Sequence, residues 1–368
     1  MTDLSTASGP PAGKERTGGG RPLRARSVIS RFGGWESSLV LLFVVELVYF
    51  SVSSPDFFNG GSGLLSLSQQ FVTTGIVALG LAPVVLSGGI DLSVGSTASL
   101  TGVVMAALWK GGLNIWLAAL GGLLVALLVG LTNGLLVVRG RLEPLIGTLA
   151  VGFIATSIST GVAGNSPPYG FPTAFTTLGT GTIGQIPIQL IIFAVLAVVV
   201  LLLMTRTEFG RSITMIGHST SAARYSGTKV NTQLVRAYMF SSLMAGVAGL
   251  MLGAFYSAVR ADLGDSLLLP ALTMIVLGGV DIFGGRGRAI GVIVAVFALG
   301  YLTQGLLISG YSQLASNMVV SIVMLAAIAV KMFAGSAEGS PAERLRNRFR
   351  NLRGTASPHP ATSGQAPQ

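Results

Sequence analysis

The chain has 368 residues, of which 51% are hydrophobic and only 10% charged; soluble domains carry roughly 25%, so an ordinary soluble globule is excluded and an integral membrane protein is expected. Its net charge of +10 would suggest nucleic acid in a soluble protein, but in a membrane protein the sign is read through its distribution, and no nucleic-acid partner is expected. With no cysteine and with His218 and His359 as the only imidazoles, disulfides, thiol catalysis and Cys-based metal sites are excluded, and no metal site is predicted.

Residues 1–34 are rich in Gly, Pro, Ser and Arg without an apolar period, and read as a disordered basic tail. They lack the apolar core of a signal peptide. Ten apolar spans follow within a transmembrane domain over 35–334. They lie near 36–53, 68–86, 93–109, 113–138, 144–163, 186–204, 234–257, 267–282, 289–308 and 314–333. The charge-free sixth is about the length a helix needs to cross a hydrocarbon core of roughly 30 Å. The third and eighth border Gly-rich breaks and are expected to be short or re-entrant. The stretch 335–368 returns to tail character, with Arg344, Arg346, Arg348, Arg350 and Arg353 on a short helix. The fold class is therefore an all-α polytopic bundle. A transmembrane β-barrel, built from short alternating segments, does not fit.

Glu46 is the one acid in the middle of a span, where charge is expensive. It reads either as a proton relay or substrate ligand, or as a neutral, hydrogen-bonded or interface-facing group. LSGGIDLSVGS, residues 86–96, ends the second span; Gly88 and Gly89 open backbone angles closed to other residues, and Asp91 or Ser93 can cap the next helix. This is a capped turn or a gate near a translocation path. LGGVDIFGGRG, residues 277–287 with Gly278, Gly279 and Asp281, looks like a second copy at the equivalent place after span eight. LTNGLLV at Leu131 and LTQGLLI at Leu302 also match, but in spans of opposite direction, so only weak internal symmetry follows. Gly122, Ala126, Gly130 and Gly134 on span four, and Ala245, Gly249, Gly253 and Ser257 on span seven, recur every four residues and predict close helix contact, by default within the chain. Polar groups of the spans such as Asn133, Thr156 and Gln304 are candidates to line a path.

The longest polar interior segment is 206–236, with five Lys or Arg against Glu208. Within it STSAARY, residues 219–225, predicts a short surface helix opened by Ser219 or Thr220 and ended by Gly227. Its small face, Ala222 and Ala223, would enter a groove on a soluble protein, while Arg211, Arg224 and Lys229 face headgroups or acidic residues. The alternative is a solvated, positively charged tether. If both termini are cytoplasmic, the inner segments collect every basic residue except Lys110 and Arg260, which is the asymmetry expected of an even number of spans. No phosphate loop, HExxH or GxSxG is present, so no enzymatic activity and no bound cofactor are expected, and energy must come from a partner or an ion gradient. The scarcity of intramembrane acids and bases beyond Glu46 argues against the second source, an ion-coupled secondary transporter of a small polar solute.

Four segments together carry a resemblance: FGRSITMIGHSTSAARYSGTKVNTQLVRAYMFSSLMAGVAGL from Phe209, the LSGGIDLSVGS turn, NGLLVVRGRLEPLIGTLA from Asn133, and LGGVDIFGGRGRAIG from Leu277. The chain resembles the permease subunits of ribose-type ABC sugar importers over nearly everything between its tails. The resemblance implies a bacterial plasma-membrane permease that imports a monosaccharide, a pentose or deoxyhexose. It further implies a cytosolic ATPase that binds the ATP, an extracytoplasmic sugar-binding protein, and a second permease copy or paralogue in the lipid membrane. It also implies that Gly217, Ala222, Ala223, Ser226 and Gly227 sit at the ATPase interface. His218 and Ser219 depart from the polar pattern usual there. The IFGG turn, residues 282–285, is similar to that of rhamnose and autoinducer-2 permeases and leans the substrate towards a rhamnose-like sugar.

Overall fold

The computed structural model describes residues 34–53, 63–164 and 168–337. Of the expected tails, residues 1–33 and 338–368, with the arginines from Arg344 to Arg353, lie outside the described residues; residue 34 already opens the first helix and residues 335–337 close the last, so the helical body extends slightly into both. The body is helical in chain order. It comprises α1 (Gly34–Ser53), α2 (Gly63–Leu67), a 3-10 turn (Ser68–Gln70), α3 (Val72–Leu86), α4 (Val94–Lys110), α5 (Ile115–Val138), α6 (Pro144–Ala163) and α7 (Thr173–Thr180). After a hairpin of β1 (Thr182–Ile183) and β2 (Ile186–Pro187) come α8 (Ile188–Arg206), α9 (Glu208–His218), α10 (Thr220–Tyr225) and α11 (Val230–Tyr256). A 3-10 turn (Asp265–Leu267), α12 (Leu268–Leu277), α13 (Ala289–Ile308) and α14 (Gln313–Ala337) complete it.

Each of the ten expected spans overlaps a helix, yet among the described residues only six helices are long and apolar enough to cross a membrane, or seven if α2 and α3, bent by 57°, form one span. Two differences have physical causes. Helix α4 has 17 residues and is buried along most of its length. Because α5, α6 and α11 enclose it, it is shielded from lipid and tolerates Ser96, Thr97, Ser99 and Thr101 on its surface. Helix α12 has only ten residues: before it a loop dips into the bundle, where Gly264 N donates to Ser99 Oγ at 2.8 Å and Gly264 packs on the Gly95 carbonyl, and after it the glycine turn from Gly278 stops the helix short of the expected end at 282. The eighth span is thus short, as its Gly-rich border predicts. The all-α expectation needs one correction. Residues 186–187 pair in the hairpin, so the sixth span begins at Ile188, after Pro187, rather than at 186.

Local chemistry sets several of these boundaries. Asn114 caps α5 by accepting from Trp116 N at 2.9 Å, and Pro144 opens α6 at a position where its missing N–H costs nothing. Helix α11, 27 residues long, is the centre of the bundle and packs on α5, α3, α4 and α7. The small-residue stripes make this possible. A Cβ on Gly130 would stand 2.6 Å from Met239 Cα and 2.7 Å from Tyr238 O, and one on Gly134 2.8 Å from Val235 Cα; Gly249 is pressed against the Ala98 carbonyl. Both stripes therefore pack within the chain. Gly130→Ala should destabilise by about 1–3 kcal/mol, because its neighbours are backbone and cannot rotate away. Gly161→Ala on α6, with nothing within 4 Å, should instead gain up to ~1 kcal/mol of helix propensity. Melting of the two purified variants in detergent checks the contrast.

One end of the bundle carries the segments 86–93, 139–143, 207–229 and 278–288, with Arg139, Arg141, Arg206, Arg211, Arg224, Lys229, Arg286 and Arg288. Lys110 and Arg260 lie at the other. The start of α1 is clamped to the basic end: Trp35 Nε1 donates to Leu277 O at 2.8 Å and Glu36 pairs with Arg288 at 3.5 Å.

Candidate functional site

The basic end is built around α9 and α10. Helix α9 buries Gly210, Ser212, Ile213 and Ile216 and exposes Arg211, Met215 and His218, so it lies flat on the bundle with a polar outer face. Ser219 then caps α10, its Oγ accepting from Ala222 N at 3.2 Å. Gly227, at φ +82°, ends it: Gly227 N donates to Arg224 O and Thr228 N to Ala223 O, both at 3.0 Å, the paired bonds of a Schellman cap. Ser226 Oγ adds a bond to Ala223 O at 2.8 Å. The short helix, its cap and its stop are as the sequence predicts. Its small face is not. Ala223 is fully buried against Ile216, Val230 and Leu234, because a six-residue helix on the surface of the bundle needs an apolar anchor of its own. That leaves Ala222, with Arg224 and Tyr225, as the exposed side.

The two glycine turns meet this loop at backbone contact. Gly285 N donates to Leu86 O at 2.8 Å, joining the second turn to the first. A methyl group on Gly217 would fall on Leu86 O and Gly285 N. One on Gly284 would reach Gly88 N at 2.6 Å, and one on Gly285 would reach His218 N at 2.9 Å. Gly88, Gly284 and Gly285 all have φ between +79° and +88°, which favours glycine. Loop, first turn and second turn thus form one three-way junction. On its α1 side Gly278 packs on the backbone of Gly291 and Val292, and Gly279 against the Trp35 ring.

From this junction the first turn rises into the bundle. Asp91 is completely buried, and four donors converge on its carboxyl group. Oδ1 accepts from Ser93 N at 3.0 Å, Ser93 Oγ at 2.7 Å and Asn133 Nδ2 at 3.4 Å; Oδ2 accepts from Ser241 Oγ at 2.9 Å. Asn133 Nδ2 also donates to Ser93 Oγ at 2.7 Å, so an amide, a hydroxyl and a carboxyl run in series. Thr148 Oγ1 on α6 accepts from Leu92 N at 3.1 Å, and the Tyr238 hydroxyl lies 2.7 Å from where a Cβ on Gly89 would be. One carboxyl group therefore ties the turn to α5 and α11. Asp91, and not Ser93, supplies the side-chain bond at the start of α4.

The other candidates do not gather here. Thr156 is half-buried on α6 and Gln304 half-buried on α13. Asn133 is fully buried and spends its amide on Ser93 and Asp91, so it braces the bundle. Asp281, the counterpart of Asp91, stays near the surface and only fixes its own turn, accepting from Phe283 N at 3.0 Å. Glu46 is buried against the bundle, with one carboxyl oxygen unpartnered among the described residues. Ser241, Tyr238 and Thr148 escape a reading of the sequence. The Ser241–Ser242 pair in the middle of a span is the one local signal that points to them. At the opposite end Arg260 donates to Asp262 and holds its carboxyl below the usual carboxylate range.

Comparison with known proteins gives a consistent picture. The family described as "Branched-chain amino acid transport system / permease component" matches residues 63–328. The autoinducer 2 import system permease proteins LsrD of Escherichia coli K12, Shigella flexneri and Escherichia coli O157:H7 are each 36% identical over 301 residues, covering 80% of this chain and 91% of the relative. No solved structure matches the chain. Residues 63–328 hold both glycine turns, the α9–α10 loop and the Asp91 cluster, and the chain belongs to this family of transport-system permease components.

Proposed function

We propose that the chain is the membrane-spanning permease subunit of an ATP-driven ABC importer, with ten crossing segments and both termini cytoplasmic. The observation that carries the coupling part of this reading is the junction of Gly217, Leu86 and Gly285. A surface helix pressed onto two turns at backbone distance has no slack, so a force applied to α9 or α10 reaches α3 and α12 directly. The partner that applies it is a separate cytosolic ATPase, and a second permease copy or paralogue completes the path. Outward opening is then favoured only while the ATPase is closed, since each partner can bias the other only through differential contacts.

The substrate is a small polyhydroxylated compound delivered by an extracytoplasmic binding protein. The named relatives carry autoinducer 2 in their names, and this moves our reading from a rhamnose-like sugar towards a compound of the autoinducer-2 class. Uptake of labelled autoinducer 2, ribose and rhamnose by cells making the chain with its ATPase and binding protein tests both parts. Deleting 219–227 should abolish uptake while the protein still inserts; normal uptake by that variant rules the coupling role out. Glu46→Gln should leave uptake intact and independent of an ion gradient. Loss of transport there would favour an ion-coupled carrier instead.

A further inference from the structure

We propose that Phe283, at the tip of the second glycine turn, is a further anchor for the cytosolic ATPase beside the α9–α10 loop; this rests on the coupling reading above. The turn is rigid. Phe283 N and Gly284 N both donate to Asp281 at 3.0 Å, Asp281 N donates to Arg286 O at 2.8 Å, and Gly285 N donates to Leu86 O. Gly284 and Gly285 hold φ of +88° and +79°. Among the described residues the fold uses residue 283 through its backbone, whose carbonyl oxygen stands 3.3 Å from where a Cβ on Gly88 would be. Its ring is left outside the packing. It is 90% exposed, and Ile282 beside it is 45% exposed.

A large apolar ring held out on a pinned backbone is preorganised for a pocket, since neither loop nor backbone has to be ordered on binding. Aromatic residues of this kind are the usual anchors of protein interfaces. The junction identifies the partner. Gly285 packs on Gly217 and His218, so a protein seated on α9 and α10 extends onto the second turn without a break. Tyr225 on the α10 side is 93% exposed and would be the matching aromatic contact. Arg211, Arg224 and Arg286 are exposed around the two tips, so the complementary surface is acidic with an apolar recess. An anionic lipid surface would also accept aromatic and basic groups, but it has no shaped recess and gains nothing from a rigid tip.

The test uses the complete transporter in nanodiscs, with a photo-crosslinking phenylalanine analogue placed at 283 or at 225. Cross-linking of both positions to the ATPase is the expected result. Phe283→Ala should weaken ATPase binding to the permease about ten- to thirtyfold, the range of a truncated interface anchor, and Phe283→Trp should restore most of it. Cross-linking at 225 but not at 283 would overturn this inference and leave the coupling reading standing; failure at both positions would sink the two together. Capture of lipid by the 283 analogue, with ATPase binding unchanged in Phe283→Ala, would assign the tip to the membrane and overturn the proposal.

Discussion

Gly217→Ala should cut import about tenfold or more while leaving the permease in the membrane at normal levels. On helix propensity alone the substitution is favourable by up to ~1 kcal/mol, because residue 217 lies within α9. Packing decides otherwise. The added methyl group falls on Leu86 O and Gly285 N, the two atoms that bond the glycine turns to each other at 2.8 Å. Neither is the end of a side chain that can swing aside. The junction must open, and with it the contact that lets the surface helix carry the turns. A separation costing even about 1.4 kcal/mol shifts the coupled equilibrium tenfold, so transport should fall by about that factor or more. Basal ATP hydrolysis should persist, because the catalytic machinery is on the partner. The measurement is substrate uptake alongside ATPase activity in proteoliposomes, with Gly161→Ala as a control for the substitution itself. Uptake at the unmodified rate would show that the junction does not transmit.

What the sequence makes legible here is what is local. Ser219, Gly227 and the residues between them hold their own helix through bonds spanning a few positions, and the cap and stop are readable for that reason. The spans are readable because lipid demands apolar length. Positions where the protein shields itself from lipid are harder to read. Helix α4 carries four buried hydroxyl residues, and α12 lies between a loop that enters the bundle and the glycine turn that stops it, so length and apolarity undercount both. Ala223 misleads for a similar reason: nothing in STSAARY tells which of two adjacent alanines faces Ile216. The junction itself joins positions 86, 217 and 285, and the Asp91 cluster joins 91, 133 and 241. Contacts at such separations leave no periodic trace. The pairing of the two glycine turns is visible as similarity, but not that one feeds a buried carboxyl group while the other presents an exposed phenylalanine.

The divergence of the two turns makes Asp91 the position with the largest expected cost to the fold. Asp91→Leu keeps a buried, shape-filling side chain but removes the acceptor for Ser93 N, Ser93 Oγ and Ser241 Oγ, while Asn133 Nδ2 keeps its bond to Ser93 Oγ. Side-chain hydrogen bonds inside membrane proteins average only ~0.6 kcal/mol, yet orphaned buried donors in soluble proteins cost about 1–3 kcal/mol each, so three together should cost on the order of 3 kcal/mol. Asp91→Asn separates charge and size from bonding. Its carbonyl can still accept from Ser93, and the Ser241 hydroxyl can rotate to accept from the new amide, so its loss should stay within ~1 kcal/mol. Thermal melting of the two variants in detergent should therefore rank Leu well below Asn, and Asn close to the unmodified protein. Ser241→Ala supplies the cross-check. Combined with Asp91→Leu it should add little, since the bond it removes is already gone, whereas alone it should destabilise measurably. Equal melting of Asp91→Leu and the unmodified protein would mean that the turn is held by its glycine contacts alone. Additive losses in the double variant would mean that Ser241 acts on α11 independently of the turn.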